Sequence, residues 1–319
     1  MRSQNNCPLQ GLTTFGTPAT ARRVVWLDSA DDALQWLNER RADEPMAVLG
    51  GGSNVLFIRD FDGTVAIEAD RSASADGLTL GAGWTLDDVV RRRAAEGRHG
   101  MENLAAIPGT LGGAVVQNAG AYGVETGDAV EWVEAIDMQS LRTERLSRGD
   151  CRFGYRTSVF KQQAGRWLIT AVRLLEGGDY SPVLTHQALQ SLPHLTAQQM
   201  IDSVTALRWR KLPRPEEHGS AGSFFKNPVV GSEAAGALLR RYPEMPVYAG
   251  GKLSAAWLID HAGWRGKTLG KAGVWPGQAL VLYNTGGCEG AEVVALAQAV
   301  SDDVRRMFGV ELETEAIII

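Results

Sequence analysis

Three observations in this 319-residue sequence predict an α+β fold. Strand-length apolar runs and helix-length amphipathic stretches follow one another without regular βαβ alternation. Two glycine-rich segments, Gly50 to Asn54 and Pro108 to Gly113, interrupt the first half. A turn signal, Gly177-Gly178-Asp179, closes a strand-rich stretch and divides the chain into expected domains at 15–178 and 179–319.

Met46 to Leu49 and Val55 to Ile58 are short apolar runs around the first glycine segment and read as strand, tight loop, strand. Alternation at Thr64 to Glu68 and at Leu78 to Leu80 predicts further half-buried strands. Thr85 with Asp88 three residues later opens a helix that stops near Gly97; its Arg91-Arg92-Arg93 run reads as a solvated face sooner than a phosphate site and is left unassigned. Strand patterns then run from Ala129 to Glu176, with Val133, Trp167 to Thr170 and Val172 to Leu175 apolar. The pair Thr196 and Gln199 forms a capping box for a helix that puts Met200, Ile201, Val204 and Leu207 on one face. Helices from Ser254 to about His261 and from about Ala291 to Phe308, the latter closed by Gly309, precede a strand-like end from Val310 to Ile319.

Composition excludes several classes of function. Hydrophobic residues make up 44% and charged residues 22%, as in an ordinary globular protein with room for two domains. A net charge of −5 argues against a general nucleic-acid binder. Three widely spaced cysteines offer neither a disulfide framework nor a metal motif and fit a reducing cytoplasm. No apolar run approaches the ~20 residues of a membrane span, and the first ten residues lack the pattern of an export signal.

Familiar motifs fail on inspection. Gly81-Ala82-Gly83 lacks the third glycine of a dinucleotide fingerprint, and Gly51 to Val55 misses the last glycine of a nucleophile elbow. Gly266-Lys267-Thr268 ends like a phosphate loop, but His261 stands where its first glycine belongs. The histidines, His99, His186, His194, His218 and His261, show no paired spacing, so no metal site is expected. What survives is anion binding by backbone: Gly50, Gly51, Gly52, Ser53 and Asn54 can form a concave nest of N–H groups that suits a pyrophosphate. Ile107, Pro108, Gly109, Gly112, Gly113 and Ala114 repeat the idea, and Gln117 and Asn118 add amides suited to the edge of a planar ring. Either loop alone is ordinary turn chemistry, but two in one domain point to a phosphorylated cofactor bound outside a doubly wound sheet. Downstream, Gly222-Ser223-Phe224-Phe225 places a hydroxyl beside a glycine on a loop open to a ligand.

These segments, with Glu102 to Gly113, Cys151 to Arg156, Lys211-Leu212-Pro213, Gly222 to Pro228 and Leu312 to Glu315, occur in an order that resembles the UDP-N-acetylenolpyruvoylglucosamine reductase family nearly end to end. The resemblance implies an FAD-binding region of the vanillyl-alcohol-oxidase (PCMH) type in two subdomains, followed by an α+β substrate-binding domain. It implies noncovalent FAD, NADPH as co-substrate, and reduction of UDP-N-acetylglucosamine-enolpyruvate in peptidoglycan precursor synthesis; a monomer is expected. Ser223 matches the family's proton-donating serine, Arg156 its arginine after tyrosine, and Glu315 its second C-terminal glutamate. Tyr155, Lys211, Asn227 and Gln278 match positions near the substrate.

The sequence departs from the family at two places. Where long-loop members carry a tyrosine over the substrate diphosphate, this chain has His186, open to a substrate-binding reading and to that of a surface loop residue. After Glu315 come Ala316 and Ile317 instead of valine and arginine, so different packing of the last strand is expected. Two other classes fit less well: the glycine loops hold no histidine or cysteine to tether a flavin as a related oxidase would, and a mere binding protein needs no proton donor.

Overall fold

The structure is a computed structural model that describes residues 1–41, 43–190, 192 and 196–319. The chain forms two compact units that are not contiguous in sequence: residues 1–7, 21–52 and 62–208 form the first, and 8–20, 53–61 and 209–319 the second.

The first unit holds two four-stranded sheets, matching the two subdomains implied by the family resemblance. In one, the strands run Arg2–Pro8, Thr20–Leu27, Phe61–Glu68 and Met46–Leu49, and the last two are parallel, with Met46 opposite Thr64. The helix Ala30–Glu39, capped by Ser29, turns Ala33, Trp36 and Leu37 onto Val25, Leu27 and Ala66. In the other sheet the order is Arg142–Ser147, Val130–Asp137, Trp167–Leu174, Thr79–Gly81, all antiparallel. The two apolar runs around Ala171 belong to one strand, which carries a bulge between Ile169 and Ala171.

Thr85 caps the helix Leu86–Ala95 through the Asp88 amide, and Thr196 and Gln199 form the reciprocal box ahead of the helix Ala197–Lys211. Met200, Ile201 and Val204 of that helix enter the core of the first unit, together with Leu86, Val89 and Leu104. The expected division at 178 and 179 therefore sits inside this unit. Gly177 takes a positive φ of 90° there, but the strand end beside it is held by the Arg93 guanidinium, which donates to the Leu175 carbonyl at 2.8 Å.

In the second unit the sheet order is Ser220–Ser223, Val281–Asn284, Ala272–Val274 and Thr268–Leu269. The helix Gly290–Phe308 packs Val293, Leu296, Val300 and Val304 into that unit's core and ends on left-handed Gly309. The run Val55 to Ile58 is strand only over Val55–Leu56, and its partner is Ile317–Ile318, which runs parallel to it. Most of the expected strand from Val310 lies outside regular structure, with a single bridge, Thr314 to Phe225, before Ile317–Ile318.

Glu68, at the end of Phe61–Glu68, is buried; one carboxyl oxygen accepts the Asp70 amide at 3.1 Å and the other has no partner. Burial, with the Asp70, Asp28 and Asp32 carboxylates nearby, pushes its pKa up to about 8. The folded state then holds a proton that the unfolded chain releases near pH 4, so stability falls as pH rises from there to about 8 and levels off above. Denaturant unfolding between pH 5 and 9 should show this slope in the parent protein and lose it in Glu68→Gln, which should be the more stable of the two at pH 8. Equal slopes for both proteins would refute the assignment.

Candidate active site

The two glycine loops meet in the first unit. A Cβ on Gly51 would stand 2.7 Å from the Gly109 Cα and 3.4 Å from the Thr110 nitrogen, so only a residue without one lets these backbones touch. Ala106, just ahead of the second loop, has a φ of 57°, and its amide and carbonyl are both held: the Asp87 carboxylate accepts the N–H at 2.7 Å and Arg208 Nε donates to the carbonyl at 3.2 Å.

Thr110 caps the short helix Leu111–Gln117, and the Leu111 and Gly112 amides donate to the carbonyls of Trp84 and Ala82. Gly112, Gly113 and Ala114 thus shape the cradle by close packing, since those amides and that of Ala114 already have carbonyl partners. The Asn118 amide group is likewise engaged, donating to Glu125 and Gly154 and accepting from the Gly127 amide. The Gln117 side-chain oxygen accepts from Lys161 Nζ at 2.6 Å. The bare backbone of Gly50 to Gly52, closed against Gly109, fits the phosphate end of a cofactor such as FAD. Ser53 and Asn54 lie in the second unit, where the Asn54 side chain donates to the Glu315 carbonyl at 3.1 Å.

Arg156 is the third residue of a four-residue turn closed by two 3.1 Å backbone bonds between Gly154 and Thr157. Its φ of 54° costs a side-chain-bearing residue roughly 1–2 kcal/mol. The guanidinium donates to the Gly120 carbonyl at 2.8 Å, Lys161 Nζ donates to the Arg156 carbonyl at 3.1 Å, and the exposed Tyr155 ring lies 5.4 Å from the guanidinium carbon.

Arg208 also lies within electrostatic reach of Arg156; burial lowers its pKa, and the Arg156 charge adds to that. Arg208 is not among the sequence-predicted site residues. Its signal was a position three residues before Lys211 on one helix, which places both cations on the same face. His186 is exposed; its Nδ1 accepts the Ala188 amide at 3.1 Å, and its ring meets Tyr122 edge-on at 4.9 Å. An accepting Nδ1 belongs to a ring with its proton on Nε2.

In the second unit, strand Ser220–Ser223 carries one extra residue against Val281–Asn284, since Ser220 faces Tyr283 and Ser223 faces Val281. Gly222, at a φ of 68°, takes up this bulge, which redirects Ser223. Immediately beyond, the Phe224 carbonyl accepts the Glu315 amide at 2.8 Å and the Glu313 carbonyl accepts the Lys226 amide at 2.9 Å. Ser223 and Glu315, 92 positions apart in sequence, thus lie on adjoining backbone segments.

Asn227 accepts the Ala255 amide through its side-chain oxygen at 3.0 Å. The Lys211 carbonyl is 2.7 Å from where a Cβ on Gly277, the residue before Gln278, would stand. A surface groove of about 550 Å³, lined by Thr13, Thr14, Glu216, Glu217, His218 and Asn284 among others, includes none of the expected site residues. Among the described residues no group of three or more histidine, cysteine or acidic side chains is placed to hold a metal; His194 lies outside them.

Family models match two parts of the chain: an FAD binding domain at residues 21–142 and the C-terminal domain of UDP-N-acetylenolpyruvoylglucosamine reductase at 214–319. Proteins of that name from Azoarcus sp. and Pseudomonas aeruginosa are each 42% identical to it, over 97% and 98% of this chain and 95% and 97% of their own. The crystal structure of UDP-N-acetylenolpyruvylglucosamine reductase from Thermus caldophilus superposes with a TM-score of 0.72 at 25% identity, covering 100% of this chain and 99% of that one.

Gly51→Ala forces the two loops apart, at a cost of about 1–3 kcal/mol. Titrating FAD into the apoprotein should show affinity reduced by roughly tenfold or more while the circular dichroism spectrum is unchanged. Unaltered affinity would remove the loop contact from cofactor binding.

Proposed function

The chain belongs to the UDP-N-acetylenolpyruvoylglucosamine reductase family, and on that premise we propose that Ser223, Arg156 and Glu315 carry its reaction. It is an FAD-dependent, NADPH-using reductase that converts UDP-N-acetylglucosamine-enolpyruvate to UDP-N-acetylmuramate in peptidoglycan precursor synthesis. Bound FAD supplies the hydride chemistry between NADPH and the enolpyruvyl β-carbon. Gly50, Gly51, Gly52, Ile107, Pro108 and Gly109 would hold it by backbone, with Gly112, Gly113 and Ala114 packed behind.

Hydride arrival at the β-carbon leaves negative charge on the α-carbon and its carboxylate. A guanidinium stays charged and can grip a carboxylate with two hydrogen bonds, and this is the role of Arg156. Serine is a very weak acid, so its hydroxyl protonates only a strongly basic centre, and the enolate-like α-carbon is one. Glu315 orients these groups or shares a proton with them. Tyr155, Lys211, Asn227 and Gln278 are the proposed substrate contacts. His186 is the proposed contact to the substrate diphosphate.

The observation that carries this reading is the pairing that sets the Glu315 amide on the Phe224 carbonyl, next to a serine redirected by a glycine bulge. The three cysteines are buried, and burial pushes the Cys151 and Cys288 thiols up to about 12. We place the protein in the cytoplasm as a monomer. Among the described residues no helix is long and apolar enough to cross a membrane.

Under anaerobic conditions NADPH should bleach the flavin, and UDP-N-acetylglucosamine-enolpyruvate should restore its colour. In Ser223→Ala the bleaching should persist at the parent rate while colour returns ~10²–10⁴-fold more slowly. Equal slowing of the two halves would remove the proton-donor role.

A further inference from the structure

We propose that Lys161 is the positioning residue of Arg156: its ammonium holds the strained turn in the one backbone conformation that presents the guanidinium, and fixes the Gln117 amide in the same step. The proposal rests on the reading that Arg156 grips the substrate carboxylate. Lys161 lies in the short helix Val159–Gln162, five residues beyond Arg156. Ser158 caps that helix by accepting the Lys161 amide and donates its hydroxyl to the Val116 carbonyl at 2.7 Å, which docks the helix against the end of Leu111–Gln117. From this base Nζ reaches both the Gln117 side-chain oxygen, at 2.6 Å, and the Arg156 carbonyl, at 3.1 Å.

The two contacts do different work. At φ 54°, Arg156 occupies a conformation usually left to glycine or asparagine, and a charge-assisted bond to its carbonyl is comparable in size to that strain. Without Nζ, the peptide after Arg156 loses a tether that the Thr157 amide bond to the Gly154 carbonyl does not replace, and the guanidinium loses its fixed presentation on the Gly120 carbonyl. At Gln117 an ammonium only donates, so the amide must present its oxygen to Lys161 and turn its NH₂ end the other way. Because Gln117 closes the helix that starts in the second glycine loop, one cation ties the cofactor loop to the catalytic turn.

Rapid-mixing measurements of both half-reactions test this in Lys161→Met, Lys161→Arg, Arg156→Met and the Lys161→Met/Arg156→Met double variant. Lys161→Met should slow flavin reoxidation by saturating UDP-N-acetylglucosamine-enolpyruvate ~10–100-fold, as expected for a displaced catalytic group, and leave bleaching by NADPH within about twofold. Lys161→Arg, which keeps a long donor, should recover most of the rate. In the Arg156→Met background the second substitution should add almost nothing, the mark of a residue that acts through another.

If Arg156→Met is slow and Lys161→Met is normal, the positioning role is wrong and the catalytic reading stands. Equal slowing of both half-reactions, or a full additional loss in the double variant, would make Lys161 a general structural residue and overturn the proposal. A normal Arg156→Met would overturn both readings. Should Lys161→Met fail to fold, a Lys161→Arg protein with parent-like thermal stability decides: substantial recovery supports the role, and a fully slow reoxidation overturns it.

Discussion

The hydrogen bond from the Glu315 amide to the Phe224 carbonyl, 2.8 Å long, is the contact on which the second unit's proposed chemistry depends. It fixes the register between a segment near residue 314 and the Phe224-Phe225 segment, and a slip of one residue would turn every side chain of the former to the other face. The flanking bonds reinforce it: the Lys226 amide donates to Glu313, the Asn54 side chain donates to the Glu315 carbonyl, and the Asn54 carbonyl accepts the Ile317 amide. Asn54, expected to face a cofactor, serves as a clamp on the backbone of the proposed catalytic glutamate. Phe224 and Phe225, packed edge to face and fully buried, supply the apolar weight that keeps their segment in place.

Much of the site was legible because its signals are local. The Thr85 and Thr196 caps, the Gly309 stop and the apolar face of Ala197–Lys211 depend on residues within one or two turns, and each appears where the spacing puts it. The helices Ala30–Glu39, Leu111–Gln117 and Ser232–Arg241 were not read. The second begins inside a proline and glycine run that resembles a loop, and the third starts after Gly231 with no side-chain cap. The pairing of Val55–Leu56 with Ile317–Ile318 has no local signal at all, being set by partners far away in the chain. Arg208 went unread for a similar reason: an arginine on a mostly polar helix looks solvated until its neighbours are known.

Backbone strain is distributed unevenly. Three of the described side-chain-bearing residues with positive φ, Ala106, Asn118 and Arg156, lie in or beside the second glycine loop and the Arg156 turn, and each is held by several hydrogen bonds. Such outliers persist where the surroundings over-determine them, and they collect where a group must be presented in one orientation. The Asn118 amide group, with three partners, shows the pattern most clearly: it joins the helix end, the Gly127 turn and the Gly154 carbonyl.

The interleaved composition of the two units bears on how the polypeptide reaches its native state during synthesis. Residues 8–20 and 53–61 leave the ribosome early, yet the unit they join is otherwise built from residues 209–319. The backbone bonds from Ile58 to the Ile319 carbonyl and from Ile319 to the Leu56 carbonyl have to wait until residue 319 is made. Until then Val55, Leu56 and Phe57, all buried in the finished fold, lack their late partners and expose an apolar edge of the kind that chaperones shield. Closure over so many residues also raises the contact order, so the late docking of residues 313–319 is a natural slow step, and the proposed catalytic glutamate arrives with it.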